Sequence, residues 1–252
     1  MIERIVTKRN MLAACRRVAS NKGAAGVDGL GVHALAEHLT VHGERLATAV
    51  CTGRYLPQAI LGVAIPKSKG GTRLLGIPTV TDRLLQQAVH QVIMPLFEVE
   101  FKAHSYGFRP GRSAQQAVQR GQRNINEGHQ HIVDIDLKNF FDEVDHCTLL
   151  QLLYRKVKCP LTMHLIRCWL RAPIQVDGKL VKRRKGVPQG SPLSPLLSNI
   201  MLHELDRELE RQGLRYVRYA DDFSIYLKRK SQARKVGNSI YLFLRERLKL
   251  PI

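Results

Sequence analysis

The chain has 252 residues, and its 40 lysines and arginines against 21 aspartates and glutamates give a formal net charge of +19. This length can bury a core in one large domain or two lobes, and the positive charge indicates a polyanionic partner. A nucleic acid is favoured over a membrane, because the sequence has no apolar stretch of about 18 residues and no signal peptide, and its basic residues are spread through the chain. We therefore expect a cytoplasmic protein that does not bind membranes.

The cysteines and histidines do not show the spacing of a metal site. The ten histidines include one close pair, His129 and His131, without partner ligands at suitable spacing, so zinc is not expected. The five cysteines form no Cys-x-x-Cys pair, which is typical of reduced, mostly buried thiols in a cytosolic protein. They are Cys15, Cys51, Cys147, Cys159 and Cys168.

The first third of the chain is predicted to be mainly helical. Apolar residues recur with helical spacing over residues 8–19 and 33–52, and again in a long helix from Thr81 to about Phe101. A glycine-rich loop at 21–29 separates the first two helices. This loop is either a plain connector or a backbone that approaches phosphates closely.

A basic hairpin is predicted at residues 65–78, where two short apolar strands flank a turn of lysine and glycine. Its cations are Lys67, Lys69 and Arg73. One interpretation is a solvated charged turn. The other is a hairpin that folds over a triphosphate, with Arg73 as a forked donor and Lys67 as a point charge.

Two arginines precede the next predicted helix. Residues 105–113 form a turn that leads into a helix over 113–127, because Ser113 is a suitable N-cap and a glycine follows the last residue. Arg109 and Arg112 lie at the start of this helix, where they are candidate phosphate contacts.

Residues 131–137 alternate between polar and apolar side chains, which predicts a strand. Asp134 and Asp136 share one face of this strand. Like charges placed in this way destabilise a strand, so the two acids indicate something beyond folding.

The second half of the chain is predicted to alternate between helices and hairpins. The predicted elements are helices at 145–157 and 160–171, a hairpin with an Asp-Gly turn at 174–181, a loop at 186–195, and helices at 195–212 and 231–248. A basic run follows the hairpin at 174–181, and its members are candidate nucleic-acid contacts: Lys182, Arg183, Arg184 and Lys185.

Two consecutive acids, Asp221 and Asp222, lie inside an apolar run at 215–227 that predicts two strands joined by a tight turn at Ala220 and Asp221. Neighbouring side chains of a straight strand point to opposite faces, so the carboxylates converge only if the backbone bends here. Convergent carboxylates repel each other, and Mg²⁺ is a natural compensating cation. A solvated Asp-Asp turn is the alternative.

Together these segments resemble the motifs of reverse transcriptases, most closely the group II intron-encoded class, the maturases. In chain order the matching segments are the loop at 21–29, SYGFRPGRS at 105–113, DLKNFFD at 136–142, PQGSPLSP at 188–195 and YADD at 219–222. The resemblance implies an α+β right-hand polymerase fold, with helix-rich fingers and an antiparallel palm sheet backed by helices.

The resemblance also implies a division of the chain. Fingers are expected over 1–111, with the loop at 21–29 as an N-terminal extension, and the palm over 112–144 and 188–252, with a connecting segment at 145–187. The family's thumb would follow the palm, and we expect it to be absent. This chain alone is therefore expected to be weak or inactive in processive synthesis.

In the reverse transcriptases, acids of the palm hold two Mg²⁺ ions for in-line attack on the α-phosphate. By resemblance, Asp136 and Asp221 bridge the two ions and Asp222 lies beside them. Asp134 is the ambiguous acid. The family spacing favours Asp136, because Phe141 then falls five residues later, at the position that packs under the incoming sugar.

Four residues are implied to bind the incoming nucleotide. A ring at Phe141 would clash with a ribose 2′-hydroxyl, which implies DNA synthesis, although ordinary core packing is the alternative for this residue. Gln189 would support the nucleotide and the template base, and Lys67 and Arg73 match residues that grip the triphosphate.

The resemblance thus implies an RNA-directed DNA polymerase of a group II intron that binds an RNA template, a DNA primer, a deoxynucleoside triphosphate and its intron RNA. One alternative is a non-catalytic scaffold that binds intron RNA and assists splicing. Another is a reverse transcriptase of the retron or diversity-generating type. The sequence leaves a homodimer open.

Overall fold

The computed structural model describes residues 1–66 and 71–251. They divide into two compact units. The first unit contains Met1–Leu96 and Leu153–Ser194, and the second contains Phe97–Leu152 and Pro195–Ile252. Each unit has its own β-sheet.

The helices of the described residues, in chain order, are α1 (Ile2–Ile5), α2 (Lys8–Ser20), α3 (Leu35–Cys51), α4 (Val80–Glu98), α5 (Ala114–Asn126), α6 (Phe140–Glu143), α7 (His146–Tyr154), α8 (Pro160–Arg171), α9 (Ser194–Arg211) and α10 (Ala233–Arg247). The strands are β1 (Ile60–Pro66), β2 (Thr72–Ile77), β3 (His131–Ile135), β4 (Ile174–Val176), β5 (Lys179–Val181), β6 (Arg215–Tyr219) and β7 (Asp222–Leu227). Short 3₁₀ turns precede α3 and α10, at Val32–Ala34 and Lys230–Gln232.

Local signals in the sequence explain where several helices begin. The Ser113 hydroxyl accepts from the Gln116 backbone N–H, and the Gln116 side chain accepts from the Ser113 N–H, so α5 starts with a complete capping box. The Thr7 hydroxyl caps α2 by accepting a hydrogen bond from the Asn10 backbone N–H. Pro160 occupies the first turn of α8, where its missing N–H costs nothing.

The first unit contains a four-stranded sheet in the order β2-β1-β4-β5. Strands β1 and β2 form the predicted hairpin, in which Leu61 pairs with Ile77, and β4 and β5 form the predicted Asp-Gly hairpin. The two hairpins join because β4 runs parallel to β1, with Ile60 opposite Ile174. Helix α4 supplies much of the core of this unit, through fully buried residues such as Leu84 and Val89.

The second unit contains a three-stranded antiparallel sheet in the order β3-β7-β6. Helix α5 packs against β6 and β7, and α10 contacts β3. Gly121 of α5 allows close packing there, since a Cβ at this position would lie 2.5 Å from the Tyr226 hydroxyl oxygen. Tyr216 and Ile225, a directly opposed pair, are fully buried.

The segment before α5 belongs to the second unit and not to the first. The boundary at residue 111 expected from the sequence therefore differs from the compact units. Two backbone hydrogen bonds hold this segment on β6: the Arg218 N–H donates to the His104 carbonyl, and the Tyr106 N–H donates to the Arg218 carbonyl, both at 2.9 Å. In the described ranges, no helix combines the length and apolar character needed to cross a membrane.

Candidate active site

The YADD segment forms a two-residue hairpin turn. Strand β6 ends at Tyr219 and β7 begins at Asp222, and these two residues pair directly, so Ala220 and Asp221 make the turn. Ala220 has a φ of +58°, a left-handed conformation that is uncommon for alanine. A positive φ at the first turn residue alone is the pattern of a type II′ turn, which suits the twist of β-hairpins. The bend predicted at this position is confirmed.

The strand register places Asp136 at the same end of the sheet. Ile135 at the end of β3 pairs with Phe223, so Asp136 leaves β3 at the end of the sheet where Asp222 begins β7. Asp221 occupies the adjoining turn. Asp136 is separated by more than 80 residues from Asp221 and Asp222 in the sequence, and the fold brings all three acids to one end of the sheet.

Electrostatics agree with this arrangement. Burial raises the pKa of the Asp221 carboxyl, and the negative charges of Asp222 and Asp136 raise it further. The backbone N–H of Asp221 and the positive charge of Arg218 act in the opposite direction. Asp221 is half-buried, whereas Asp136 and Asp222 are exposed. The three carboxylates thus form a site with excess negative charge.

The donor set fits Mg²⁺, which prefers carboxylate oxygens and usually retains waters and substrate phosphates in its coordination shell. Within residues 1–66 and 71–251, no ion pair and no hydrogen bond from another side chain neutralises Asp136, Asp221 or Asp222. In the same ranges, no group of three His, Cys, Asp or Glu side chains is already arranged to hold an ion.

Asp134 differs from Asp136 in its bonding. Asp134 is opposite Ser224 in the sheet, and the Ser224 hydroxyl donates to its carboxylate. Asp134 thus has a cross-strand partner of its own. The choice of Asp136 as the metal ligand stays a prediction.

Phe141 lies in the short helix α6, just beyond β3. Its ring makes edge-on contacts with the rings of Phe140, at a centroid distance of 5.4 Å, and of Phe108, at 6.5 Å. Phe140 is almost completely buried, but Phe141 is only half-buried. The ring of Phe141 is therefore held in place while part of it remains accessible.

Gln189 and Arg73 both lie in the first unit. Arg73 is exposed on β2. The Gln189 backbone carbonyl accepts from the N–H of Gly76, also on β2, at 2.8 Å. Gly190 follows with a φ of +115°, and a Cβ there would lie 2.7 Å from the Gly76 carbonyl oxygen, so only glycine permits this approach. Lys67 and Lys69 lie outside the described residues.

Arg109 is a correction to the phosphate contacts expected from the sequence. Its guanidinium forms a 2.7 Å ion pair with Glu98 and donates to the carbonyls of Lys102 and Ser105 at 2.6 and 2.8 Å. The side chain is only 4% exposed. Arg109 therefore stabilises the turn before α5, and its donors are already used there.

The other candidate nucleic-acid contacts are more accessible. Arg112 is exposed and lies over the Tyr106 ring, 5.5 Å from its centroid. In the basic run after β5, three residues are exposed and Arg183 is half-buried. The exposed three are Lys182, Arg184 and Lys185.

Sequence reasoning missed a buried polar network beneath the YADD turn. Arg218, on β6, forms a two-point ion pair with Asp206 of α9, at 2.8 Å from Nε and 2.6 Å from Nη2. Arg218 Nη1 donates to Asn199 Oδ1 at 3.0 Å and to the Ala220 carbonyl at 2.7 Å. The signal that could have found it is Asp206 itself, an acid on the apolar face of α9 beside Leu205 and Leu209.

The comparison with known protein families decides the identity of the fold. Residues 65–252 match the family model described as "Reverse transcriptase (RNA-dependent DNA polymerase)". The chain belongs to the reverse transcriptase family. The α+β fold implied by its motifs is thereby confirmed.

Three curated relatives show the range of this reverse transcriptase's similarity. Protein YkfC of Escherichia coli (strain K12) is 35% identical over 218 residues, which are 84% of this chain and 57% of that protein. Group II intron-encoded protein LtrA of Lactococcus lactis is 38% identical over 165 residues, 65% of this chain and 27% of LtrA. Retron Mx65 reverse transcriptase of Myxococcus xanthus is 33% identical over 172 residues, 64% of this chain and 39% of that protein. The chain spans little more than half the length of the first relative and less of the others.

A solved structure gives the same fold. The structure titled "Partial Cas6-RT-Cas1--Cas2 complex" matches with a TM-score of 0.58 and 26% identity, over 96% of this chain and 42% of that one. The resemblance to group II intron-encoded proteins drawn from the motifs is confirmed by LtrA.

Proposed function

We propose that this reverse transcriptase is an RNA-directed DNA polymerase that adds deoxynucleotides to a primer 3′-hydroxyl, with Asp136, Asp221 and Asp222 as its metal ligands. One observation carries the proposal: the pairing of β3 with β7 and of β7 with β6 brings Asp136, Asp221 and Asp222 to the same end of one sheet. Ligands from two strands and the turn between β6 and β7 suit a catalytic metal site.

The chain's own part in this chemistry is to hold three carboxylates at the end of the β3-β7-β6 sheet. Two bound Mg²⁺ ions supply charge stabilisation for the attacking and leaving oxygens of the phosphoryl transfer. Asp136 directly follows β3, and Asp222 is the first residue of β7. The tight turn at Ala220 keeps Asp221 beside them. Ionised carboxylates are needed, so protonation of Asp221 opposes metal binding.

Four residues are proposed to bind and select the incoming nucleotide. Phe141 is proposed to exclude the ribose 2′-hydroxyl, because its ring is fixed by two neighbouring rings and yet is partly accessible. In the first unit, which we assign to the fingers, Arg73 and Lys67 are proposed to bind the triphosphate. Gln189 is proposed to support the nucleotide from a loop fixed against β2.

The second unit is assigned to the palm, and RNA binding is assigned to the exposed cations. Arg112 and the run at 182–185 supply charges that displace counterions from phosphates. The net charge of +19 makes this attraction strong and sensitive to salt. The similarity to LtrA supports a group II intron RNA as partner and a role in its splicing.

A second candidate is a reverse transcriptase of the retron type, because a retron enzyme of Myxococcus xanthus also matches this chain. Binding to a group II intron RNA distinguishes the two candidate functions. A group II protein is expected to bind a folded group II intron RNA more tightly than an unrelated structured RNA of equal length at raised salt, where the non-specific contribution is weak. Equal binding would favour the retron type.

Primer extension tests the proposed activity. The chain is given an RNA template, a DNA primer, deoxynucleotides and Mg²⁺, and Asp221→Asn is compared with Asp177→Asn, an exposed aspartate in the turn between β4 and β5. We expect Asp221→Asn to lower the rate about a thousandfold or more, and Asp177→Asn to leave it nearly unchanged. Extension by Asp221→Asn at the wild-type rate contradicts the proposal.

Sugar selection is tested with ribonucleotides. Replacing Phe141 by alanine removes the ring, so we expect ribonucleotide incorporation to rise relative to deoxynucleotide incorporation. The matched control is Phe243→Ala, which removes another half-buried phenylalanine ring, in α10, and is expected to leave sugar selection unchanged. A Phe141→Ala protein that still excludes ribonucleotides contradicts this role.

A further inference from the structure

We propose that Arg218 is a positioning residue, which uses Asp206 and Asn199 as anchors to set the turn that presents Asp221. This inference rests on the proposed function of Asp221 as a metal ligand. Arg218 touches no substrate in the proposal, and its action on catalysis passes through the conformation of the turn.

The anchor is a fully buried ion pair. The side chains of Arg218 and Asp206 are both 0% exposed, and their two parallel hydrogen bonds fix the guanidinium plane relative to α9. A buried charge is tolerated only with a partner, so neither residue can move without a large loss of electrostatic energy. The forked geometry is specific to arginine, because a lysine ammonium cannot make both bonds in one plane.

The remaining donor of Arg218 reaches the turn itself. Nη1 donates to the Ala220 carbonyl at 2.7 Å and to Asn199 Oδ1 at 3.0 Å. The Ala220 carbonyl belongs to the peptide unit that joins Ala220 to Asp221, so this bond sets the orientation of the peptide plane from which the Asp221 side chain starts. Alanine adopts a φ of +58° only where its surroundings impose it.

The opposite side of the turn is closed by Gly107. A Cβ at Gly107 would lie 2.2 Å from the Ala220 nitrogen and 2.8 Å from its Cα, so the two backbones are in close contact. Asn199 connects the two sides, since its side-chain amide donates to the Gly107 carbonyl at 2.9 Å while its oxygen accepts from Arg218. The turn is thus held between Arg218 on one side and the Gly107 backbone on the other.

This network differs from an ordinary buried ion pair in where it ends. Asp206 alone would satisfy the charge of Arg218. The guanidinium also donates to the Ala220 carbonyl, in the peptide unit that precedes the proposed metal ligand Asp221. A purely structural role predicts that activity follows the folded fraction. A positioning role predicts that activity is lost in molecules that remain folded.

The test uses two variants of the chain. Arg218→Lys keeps the charge but loses the fork. The double variant Arg218→Met with Asp206→Leu removes both buried charges and keeps the volume apolar, which avoids an unpaired charge. The matched control is Asp82→Asn, a buried carboxylate of the first unit with no part in the proposed site.

Three readouts are compared: circular dichroism for the folded fraction, hydrogen exchange of the backbone over residues 219–222, and primer extension. For both Arg218 variants we expect the folded fraction to remain high below the melting temperature and exchange to become faster at 219–222 but not in β3. We expect kcat to fall about tenfold to a hundredfold, with a higher Mg²⁺ requirement and an unchanged KM for the template. Asp82→Asn is expected to retain wild-type kcat and wild-type exchange at 219–222.

The outcome that overturns the inference is wild-type exchange at 219–222 together with wild-type kcat in a folded Arg218 variant. Loss of kcat in proportion to the unfolded fraction overturns it as well. The exchange readout needs no catalysis, so it decides the turn inference separately from the proposed function. Failure of the proposed function appears instead as equal primer extension by wild type and Asp221→Asn.

Discussion

Two aspartates, Asp82 in the first unit and Asp221 in the second, show how a structural carboxylate differs from a proposed metal ligand. Burial raises the pKa of both. Asp82 accepts hydrogen bonds from Tyr55, Trp169 and Thr79, each at 2.8 Å, and from the backbone N–H of Gln58. These neutral donors compensate the buried charge and tie three segments of the first unit together: residues 55–58, residues 79–82 and α8.

In the described part of the chain Asp221 accepts no hydrogen bond from another side chain, and its pKa is lowered only by its own backbone N–H and by the charge of Arg218. Its neighbours Asp136 and Asp222 raise its pKa through like-charge repulsion, whereas the donors around Asp82 lower the pKa of that group. A raised pKa alone therefore does not identify a functional acid. The informative combination is burial with like charges and without side-chain donors in the described part of the chain.

The largest expected effect on stability is at Asp82. Asp82→Ala leaves the Tyr55 hydroxyl and the Trp169 indole N–H buried without an acceptor, so we expect the free energy of unfolding to fall by about 3 kcal/mol. Urea denaturation measures this change. An unchanged midpoint would show that water replaces the carboxylate at no cost, and the contrast with Asp221 would then fail.

A smaller loss is expected when one donor is removed. Tyr55→Phe deletes the hydroxyl that donates to Asp82, and the remaining donors stay in place, so we expect a loss of about 1 to 2 kcal/mol. The matched control is Tyr154→Phe, since Tyr154 is exposed. Equal midpoints for the two variants contradict the structural role of the bond.

The smallest effect has the opposite sign. Asp221→Asn removes a charge that burial and like charges disfavour, so without divalent metal we expect this variant to be more stable than wild type by less than about 1 kcal/mol. A carboxyl whose pKa is higher in the folded state than in the unfolded state makes the folded protein less stable as the pH rises above the unfolded-state pKa. The gain should therefore be absent in strong acid and present at neutral pH.

Mg²⁺ should make wild type more stable than Asp221→Asn, which reverses the order expected without metal. The ion binds the wild-type carboxylates and stabilises the folded state, while Asp221→Asn has lost a ligand. Melting curves at neutral pH with and without Mg²⁺ measure both signs. A variant that is less stable than wild type in the absence of metal contradicts the view that Asp221 is uncompensated.

Local patterns made much of the second unit predictable. The alternation at 131–137 and the Asp-Asp bend determine β3, β6, β7 and their turn, because strand period and turn chemistry are properties of neighbouring residues. The capping box at Ser113 likewise fixes the start of α5. The acids proposed as metal ligands follow from the same short motifs.

Long-range contacts were not predictable in this way. The pairing of β1 with β4 joins residues more than a hundred positions apart, and neither strand carries a signal for the other. Arg109 looked like a phosphate contact because its partner Glu98 lies outside the local motif. Arg218 appeared to be one polar residue in a strand, and only the fold brings Asp206 and Asn199 to it.

The pair Asp136 and Asp134 tests the central claim most directly, because the two acids lie on one strand, two residues apart, and asparagine removes one charge from each. Primer extension with Mg²⁺ is measured for Asp136→Asn and Asp134→Asn. The account predicts a loss of about a thousandfold or more for Asp136→Asn and at most a few-fold change for Asp134→Asn, whose carboxylate already has Ser224 as a partner. Equal rates for the two variants, or a larger loss at Asp134, would contradict it.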